Sequence, residues 1–185
     1  MSKDLFPDQP MINAQRFDLR PLRVSDTGQI ALHSADLRIA RMTSRIAHPL
    51  PPGATAAFIE RAMGTTRDED IWAIDGSKSA RPDLMGVISL KRLDRDQSEL
   101  SYWIAVAFWN TGLASEAVQA LIDTNPMMNT TIFAAVFRDN LAAARVLSKS
   151  GFSYLGDAET FSVARGENVP TRTYTIKLIP GAGSN

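Results

Sequence analysis

The residues with the most chemical content stand in the run Ala107–Val118, AFWNTGLASEAV, directly after a β-like segment. A helix N-terminus exposes about four unpaired N–H groups and carries about half a positive charge. Glycine and small side chains at such a point let an anion meet the backbone itself. Thr111, Gly112, Leu113, Ala114 and Ser115 supply the N–H groups, with Phe108 and Trp109 expected to pack beneath them. The chemistry this describes is phosphate binding. The alternative is that Gly112 is a turn glycine and that Ala114 and Ala117 serve close helix packing. Neither the G-x-x-x-x-G-K-[ST] of a P-loop nor the G-x-G-x-x-G of a dinucleotide fold occurs, so the phosphate would belong to another kind of ligand.

Composition narrows the ligand further. Lys plus Arg and Asp plus Glu are 20 each in 185 residues, which argues against bulk nucleic-acid binding and requires any anion to be held locally. The absence of cysteine removes disulfides, thiolate nucleophiles and Cys-based metal sites, and suits a reducing compartment. Two histidines, His33 and His48, make a poor metal site, so no metal is expected. His48 lies before PLPPG, on a loop surface or at the wall of an acceptor pocket. No apolar run approaches the roughly 20 residues that span a bilayer, and no signal-peptide core follows the first residues. A soluble, cytoplasmic protein without a membrane partner is expected.

The elements that must position these residues read as β-α-α-β-β-β-α-β-α-β-β, a mixed α/β sheet of about seven strands with helices packed on it. RFDLRPL (Arg16–Leu22) alternates as a strand, and Asp26 with Gln29 resembles a capping box opening the first helix. The helix of HPLPPGATAAFIERAM carries a stripe of Ala56, Ile59 and Met63. DIWAID and LMGVISLKRL read as antiparallel strands around a turn with Gly76 and Pro82. ELSYWIAV alternates Leu100, Tyr102, Ile104 and Val106 against Glu99, Ser101, Trp103 and Ala105, placing a carboxylate near the start of the strand. TIFAAVF reads as a strand buried on both faces. Asp139 or Asn140 caps the next helix, and Gly151 ends it. SYLGDAETF and TRTYTIKL close the chain as strands around the turn ARGENVP. Residues 1–15 are an extension, 16–179 a single domain and 180–185 a frayed tail.

ELSYWIAVAFWNTGLASEAV, FRDNLAAARVLSKSGFSYLG and ARGENVPTRTYTI, with RFDLRPLRVSD and IAHPLPPGATAAFIERA ahead of them, resemble the GNAT N-acetyltransferases. The likeness is to the branch that includes the ribosomal-protein N-terminal acetyltransferases, and it runs from about Arg16 to Leu178. It implies a mostly antiparallel sheet with a V-shaped splay between the fourth and fifth strands, holding acetyl-CoA as cosubstrate. The pantetheine arm would lie along the backbone near Trp103 and Ile104, and the pyrophosphate on the N–H groups of Thr111, Gly112, Leu113, Ala114 and Ser115. Asn140 matches a position that touches the cofactor arm, which a simple helix cap also explains. Arg145 and Lys149 would meet the 3′-phosphate or stand on a solvated helix face.

Acetyl transfer to an amine needs a neutral amine, a polarised thioester and a proton for the leaving thiolate. An α-amine of pKa about 7.7–8 is neutral far more often at pH 7 than a lysine of about 10.4, a gap of roughly 3–4 kcal/mol. A modest base suffices for the former. Glu99 matches the glutamate that resembling enzymes use as that base. The usual acids are replaced: a tyrosine position is Leu147 and a serine position Ala143, while Trp109 stands where the phosphate loop commonly opens with Gln or Arg. Tyr154 and Tyr174 are substitutes for the acid or strand-packing residues. The implied activity is N-acetylation of a protein N-terminus or a small primary amine by direct attack. A CoA-binding regulatory module without turnover is the competing reading, and a cationic antibiotic is a further acceptor class. The resemblance allows a monomer or a homodimer.

Overall fold

The computed structural model describes residues 8–180. Its strands are β1 (Ile12–Asn13), β2 (Asp18–Pro21), β3 (Glu69–Asp75), β4 (Gly86–Leu93), β5 (Gln97–Ile104), β6 (Thr131–Phe137), β7 (Ser153–Ser162) and β8 (Glu167–Lys177). Its helices are α1 (Thr27–Ser34), α2 (Leu37–Ala40), α3 (Ala54–Met63), α4 (Leu113–Thr124) and α5 (Leu141–Lys149). The strands form one sheet in the order β1-β2-β3-β4-β5-β6-β8-β7. The mixed, mostly antiparallel architecture agrees with the sequence reading, with eight strands in place of about seven. The added one is β1, two residues long and too short to leave a periodic signal. Ile12 is buried there, and Trp72 Nε1 donates to the Pro10 carbonyl at 2.8 Å.

Strand alternation sorts the core into two layers. Ile71, Ala73 and Val87 face α1 and α3, where Ile30, Ile59 and Ala62 meet them and Trp103 packs alongside. Trp72, Ile74, Ile88, Leu100 and Ile104 face α4 and α5, against Leu113, Val118, Leu121 and Leu147. The buried positions of α3 are Thr55, Ile59 and Ala62, so the expected stripe through Ala56 and Met63 is rotated; Met63 is exposed. Gly53, in the left-handed region at φ 77°, starts that helix.

Three local expectations need correction. α1 begins after Asp26, but Asp26 forms no capping box with Gln29. Its carboxylate receives Arg20 Nη1 and Nη2 at 2.9 and 2.8 Å and the Arg23 N–H at 2.9 Å, while the Gln29 amide donates to Asp83. A buried arginine outcompetes a weak cap for the same oxygens. β6 is covered unevenly: Ile132 and Ala134 are buried on one face, while on the other Phe137 is buried, Phe133 is half-buried and Ala135 is exposed. Finally, β8 starts at Glu167, so most of the expected turn ARGENVP is strand. Among the described residues no helix is long and apolar enough to cross a membrane. Residues 181–185 of the expected tail lie outside the described residues, as do residues 1–7.

Candidate functional site

The site is a seam in the sheet. β5 and β6 pair in parallel over three positions only, Gln97–Thr131, Ser98–Ile132 and Glu99–Phe133. Beyond Glu99 the strands part, and β5 remains paired to β4 alone, as far as Ile104 opposite Gly86. Backbone direction alternates along a strand. The Ala105 N–H donates to Met85, and the Trp103 carbonyl lies so near Gly86 that a Cβ there would sit 2.5 Å from it. Trp103 therefore spends its backbone groups on β4, and those of Tyr102 and Ile104 turn toward the open side. The Ile104 carbonyl is occupied, receiving Trp109 Nε1 at 2.8 Å. Trp109 itself is exposed, not packed beneath the turn as expected; Phe108 alone packs against the core.

A cavity of about 450 Å³ fills the seam and passes through the sheet. On the α1/α3 side it is lined by Arg45, Glu69, Ser89, Glu99 and Trp103, and on the α5 side by Tyr102, Asn140, Ala143 and Leu147. Three residues singled out in the sequence, Glu99, Trp103 and Asn140, thus meet in one cavity. Glu99 stands at the closed end of the V, in a cross-strand row with Lys91 and Glu69. The Asn140 side chain accepts from the Ala143 N–H at 3.2 Å, capping α5 while facing the cavity. Trp103 packs its ring 6.1 Å from His33. Burial holds the His33 imidazole below its ordinary range, against the pull of Asp36.

Arg45, Glu69 and Ser89 line the cavity too, and the sequence reading singled out none of them. Arg45 Nη1 and Nη2 donate to Glu69 Oε2 and Oε1 at 2.9 and 2.7 Å, and Ser89 Oγ donates to Oε1 at 2.7 Å. Burial pushes the Glu69 carboxyl up, but the hydrogen bonds from Arg45 and Ser89 outweigh it and hold the group below the ordinary carboxylate range. The signal for Glu69 was available: it shares the parity of Ile71 and Ala73, hence their face. Arg45 lies in the loop between α2 and α3, where no periodicity operates. That loop is tied down by the tip of the β7–β8 hairpin. The Val163 N–H donates to the Ser44 carbonyl at 3.0 Å, and Arg165 Nε donates to the Arg41 carbonyl at 2.9 Å.

The α4 N-terminus lies past the end of β5, outside the cavity lining. Gly112 opens it in the left-handed region at φ 78°, and among the described residues no side chain caps it. Thr111 and Gly112 are exposed, Ala114 and Ser115 partly so, and Leu113 sends its side chain into the core. Glu116, in the first turn, does not compete for the amides: its carboxylate takes the Arg16 N–H at 3.0 Å and Arg16 Nε at 2.6 Å. Arg145 and Lys149 are exposed on α5 and do not line the cavity. Tyr174 is buried in the α4/α5 layer and Tyr154 is exposed beside it, so neither lines the cavity. His48 is exposed on its loop.

An open strand edge, an uncapped helix start and a cavity at the vertex of a V define a class of protein. The chain belongs to the acetyltransferase (GNAT) domain family, whose model matches residues 16–153. Among curated proteins it is similar to the uncharacterized N-acetyltransferase YoaA of Bacillus subtilis (strain 168), 28% identical over 109 residues, or 57% of this chain; the match spans 60% of that protein's length. Among solved structures it is similar to Mycobacterium smegmatis RimJ in complex with CoA-disulfide, with a TM-score of 0.77 at 15% identity over 91% of this chain and 87% of that one. A ribosomal-protein-S5-alanine acetyltransferase from Vibrio fischeri gives a TM-score of 0.75 at 17% identity, covering 96% of this chain and all of that one (100%).

Proposed function

We propose that the chain transfers an acetyl group from acetyl-CoA to a primary amine, a protein N-terminus or a small molecule, by direct attack. The observation that carries this is the three-position pairing of β5 with β6, which leaves a strand edge and a through-going cavity where a thioester fits. The amides of Thr111, Gly112, Leu113, Ala114 and Ser115 hold the pyrophosphate, since among the described residues no side chain caps that end of α4; Arg16 Nη1, which donates to the Thr111 carbonyl at 2.9 Å, adds a positive charge beside it. The pantetheine runs along the edge offered by Tyr102 and Ile104, and Trp103 contributes its ring to the acceptor wall. Asn140 reaches the arm from α5, and Arg145 meets the 3′-phosphate from the solvent side.

The acceptor enters from the α1/α3 face. Glu99 draws the surplus proton from the amine, directly or through water, as the nitrogen bonds to the carbonyl carbon. Glu69 is unsuited to that work because its charge is held by Arg45. The lining carboxylates Glu69 and Glu99 face Arg45 and Arg61, so the pocket has no excess of negative charge for a polycation. An amine of low pKa, such as an N-terminus, fits this balance better than a polyamine or a cationic antibiotic.

The test is direct. Purified protein is mixed with acetyl-CoA and a panel of peptides and small amines, and free thiol is followed. Acceptor-dependent release is expected, and release at the water background for every amine would refute transfer. A second reading, a CoA-binding module without turnover, is favoured by the apolar Ala143 and Leu147 in the cavity wall. It predicts CoA binding without turnover, and activity created by Ala143→Ser.

A further inference from the structure

Among the described residues, three buried side-chain polar atoms lack a hydrogen-bond partner, and two of them, Tyr102 Oη and Thr171 Oγ1, belong to residues lining the cavity. A buried hydroxyl without a partner destabilises a protein. Two in the wall of one cavity have no partner among the described residues and are left for what enters it.

The two hydroxyls serve different faces. Thr171 pairs with Phe137 on β6 and shares the side of the sheet on which the acceptor enters. Tyr102 has the parity of Leu100 and Ile104 and packs against the layer that includes Leu147 of α5. Ala143 and Leu147 line the cavity on that same side. An acid reaching the leaving thiolate from α5 would start from there, and α5 offers only a methyl and an isobutyl group.

We propose that Tyr102 is a catalytic residue, its phenol donating a hydrogen bond to the sulfur of coenzyme A as the acetyl group leaves. This rests on the acetyl-CoA reading of the seam. The amine nitrogen bonds to the carbonyl carbon, the carbon–sulfur bond breaks, and its electron pair goes to sulfur. The surplus proton of the nitrogen passes to Glu99. The thiolate, held by the phenol O–H, then takes a proton from solvent, and Tyr102 keeps its own throughout. Burial pushes the Tyr102 phenol well above its ordinary value, so it remains a donor at every pH the protein meets. The hydroxyl has no exposed surface in the unliganded seam, so the arm must part β5 from α5 slightly as it enters.

Calorimetry on the full chain, comparing coenzyme A with desulfo-coenzyme A at mildly alkaline pH, tests the assignment without turnover. Wild type is expected to bind coenzyme A about tenfold or more tighter than the desulfo analogue, because a hydrogen bond to a charged acceptor is a strong one. Tyr102→Phe is expected to bind the two equally and to lose about ten- to a hundredfold in kcat. The ligand-free variant is expected to melt no lower than wild type, since the hydroxyl it loses has no partner. An unchanged preference in Tyr102→Phe, or a fall in its melting temperature, overturns the role of Tyr102 alone. Failure of wild type to bind either ligand overturns the acetyl-CoA reading with it.

Discussion

Gly86→Ala examines the geometry of the seam at its mouth. A Cβ at position 86 would stand 2.5 Å from the Trp103 carbonyl oxygen and 3.2 Å from Ile104 Cα, both backbone atoms that no rotamer change can move. Ordinary contact begins at 3.4 Å, so β4 and β5 have to part by roughly 0.9 Å. Overpacking of this kind costs about 1–3 kcal/mol, offset by up to about 1 kcal/mol from a less flexible unfolded chain. A net loss of about 1–2 kcal/mol lowers the melting temperature by about 2–8 °C in a chain of this size. The same displacement moves the edge of Tyr102 and Ile104 proposed to receive the pantetheine. Losing one hydrogen bond of about 0.5–1.5 kcal/mol weakens coenzyme A binding by about two- to twelvefold. Differential scanning calorimetry and binding calorimetry read the two effects. Gly28→Ala is the control: its Cβ meets nothing within 4 Å, and it should be neutral or stabilise α1 by up to about 1 kcal/mol. A Gly86→Ala protein with wild-type melting and wild-type affinity would refute the argument.

Glu99→Gln should lower kcat for an α-amine acceptor by about 10²–10⁴-fold, leave coenzyme A affinity intact and recover partly as rising pH neutralises the amine; steady-state kinetics across pH decide this. Glu69 has a folded pKa below its unfolded value of 4.5, so its pair with Arg45 contributes fully above that pH and is lost as pH falls through the lower folded value. Melting curves of wild type should therefore fall more steeply in that acidic window than those of Glu69→Gln. Arg45→Ala leaves a buried carboxylate without its main partner and should cost about 1–2 kcal/mol near neutral pH, discounted for the exposed guanidinium, as read by urea unfolding. Asn140→Ala should lose about 1 kcal/mol from the α5 cap and weaken coenzyme A, whereas Asn140→Ser should restore stability without restoring affinity.

The elements that obey a period were legible. β5, α4, α5 and the β3–β4 hairpin fall within a few residues of their expected places, because alternation, a 3.6-residue stripe and the caps at Asn140 and Gly151 are local signals. β1 was not legible, since two residues carry no period and their place depends on Ile12 finding the core. The break in cover at Ala135 on the second face of β6 was not legible either. An apolar run looks the same whether its second face meets a helix or an open seam. At the site, Glu99 and Asn140 could be singled out from chain position, and the cavity brings them together with Trp103. Arg45 and Tyr102 emerge only in three dimensions. One depends on a loop held from a distant hairpin, the other on a hydroxyl whose lack of a partner no sequence can display.

Three paired positions also set the mechanics of the whole sheet. Strands β1–β5 form one plate and β6, β8 and β7 another, and among the described residues the strand pairing that joins the plates covers only Gln97–Glu99, with the Thr130 N–H donating to the Asp96 carbonyl just beside it. So short a joint is expected to open locally more readily than either plate. An occupant that bonds to the free edge works as a splint across the gap. Its binding would register in amide exchange along β5 and β6 well beyond the atoms it touches, stiffening both walls of the acceptor entrance before any amine arrives.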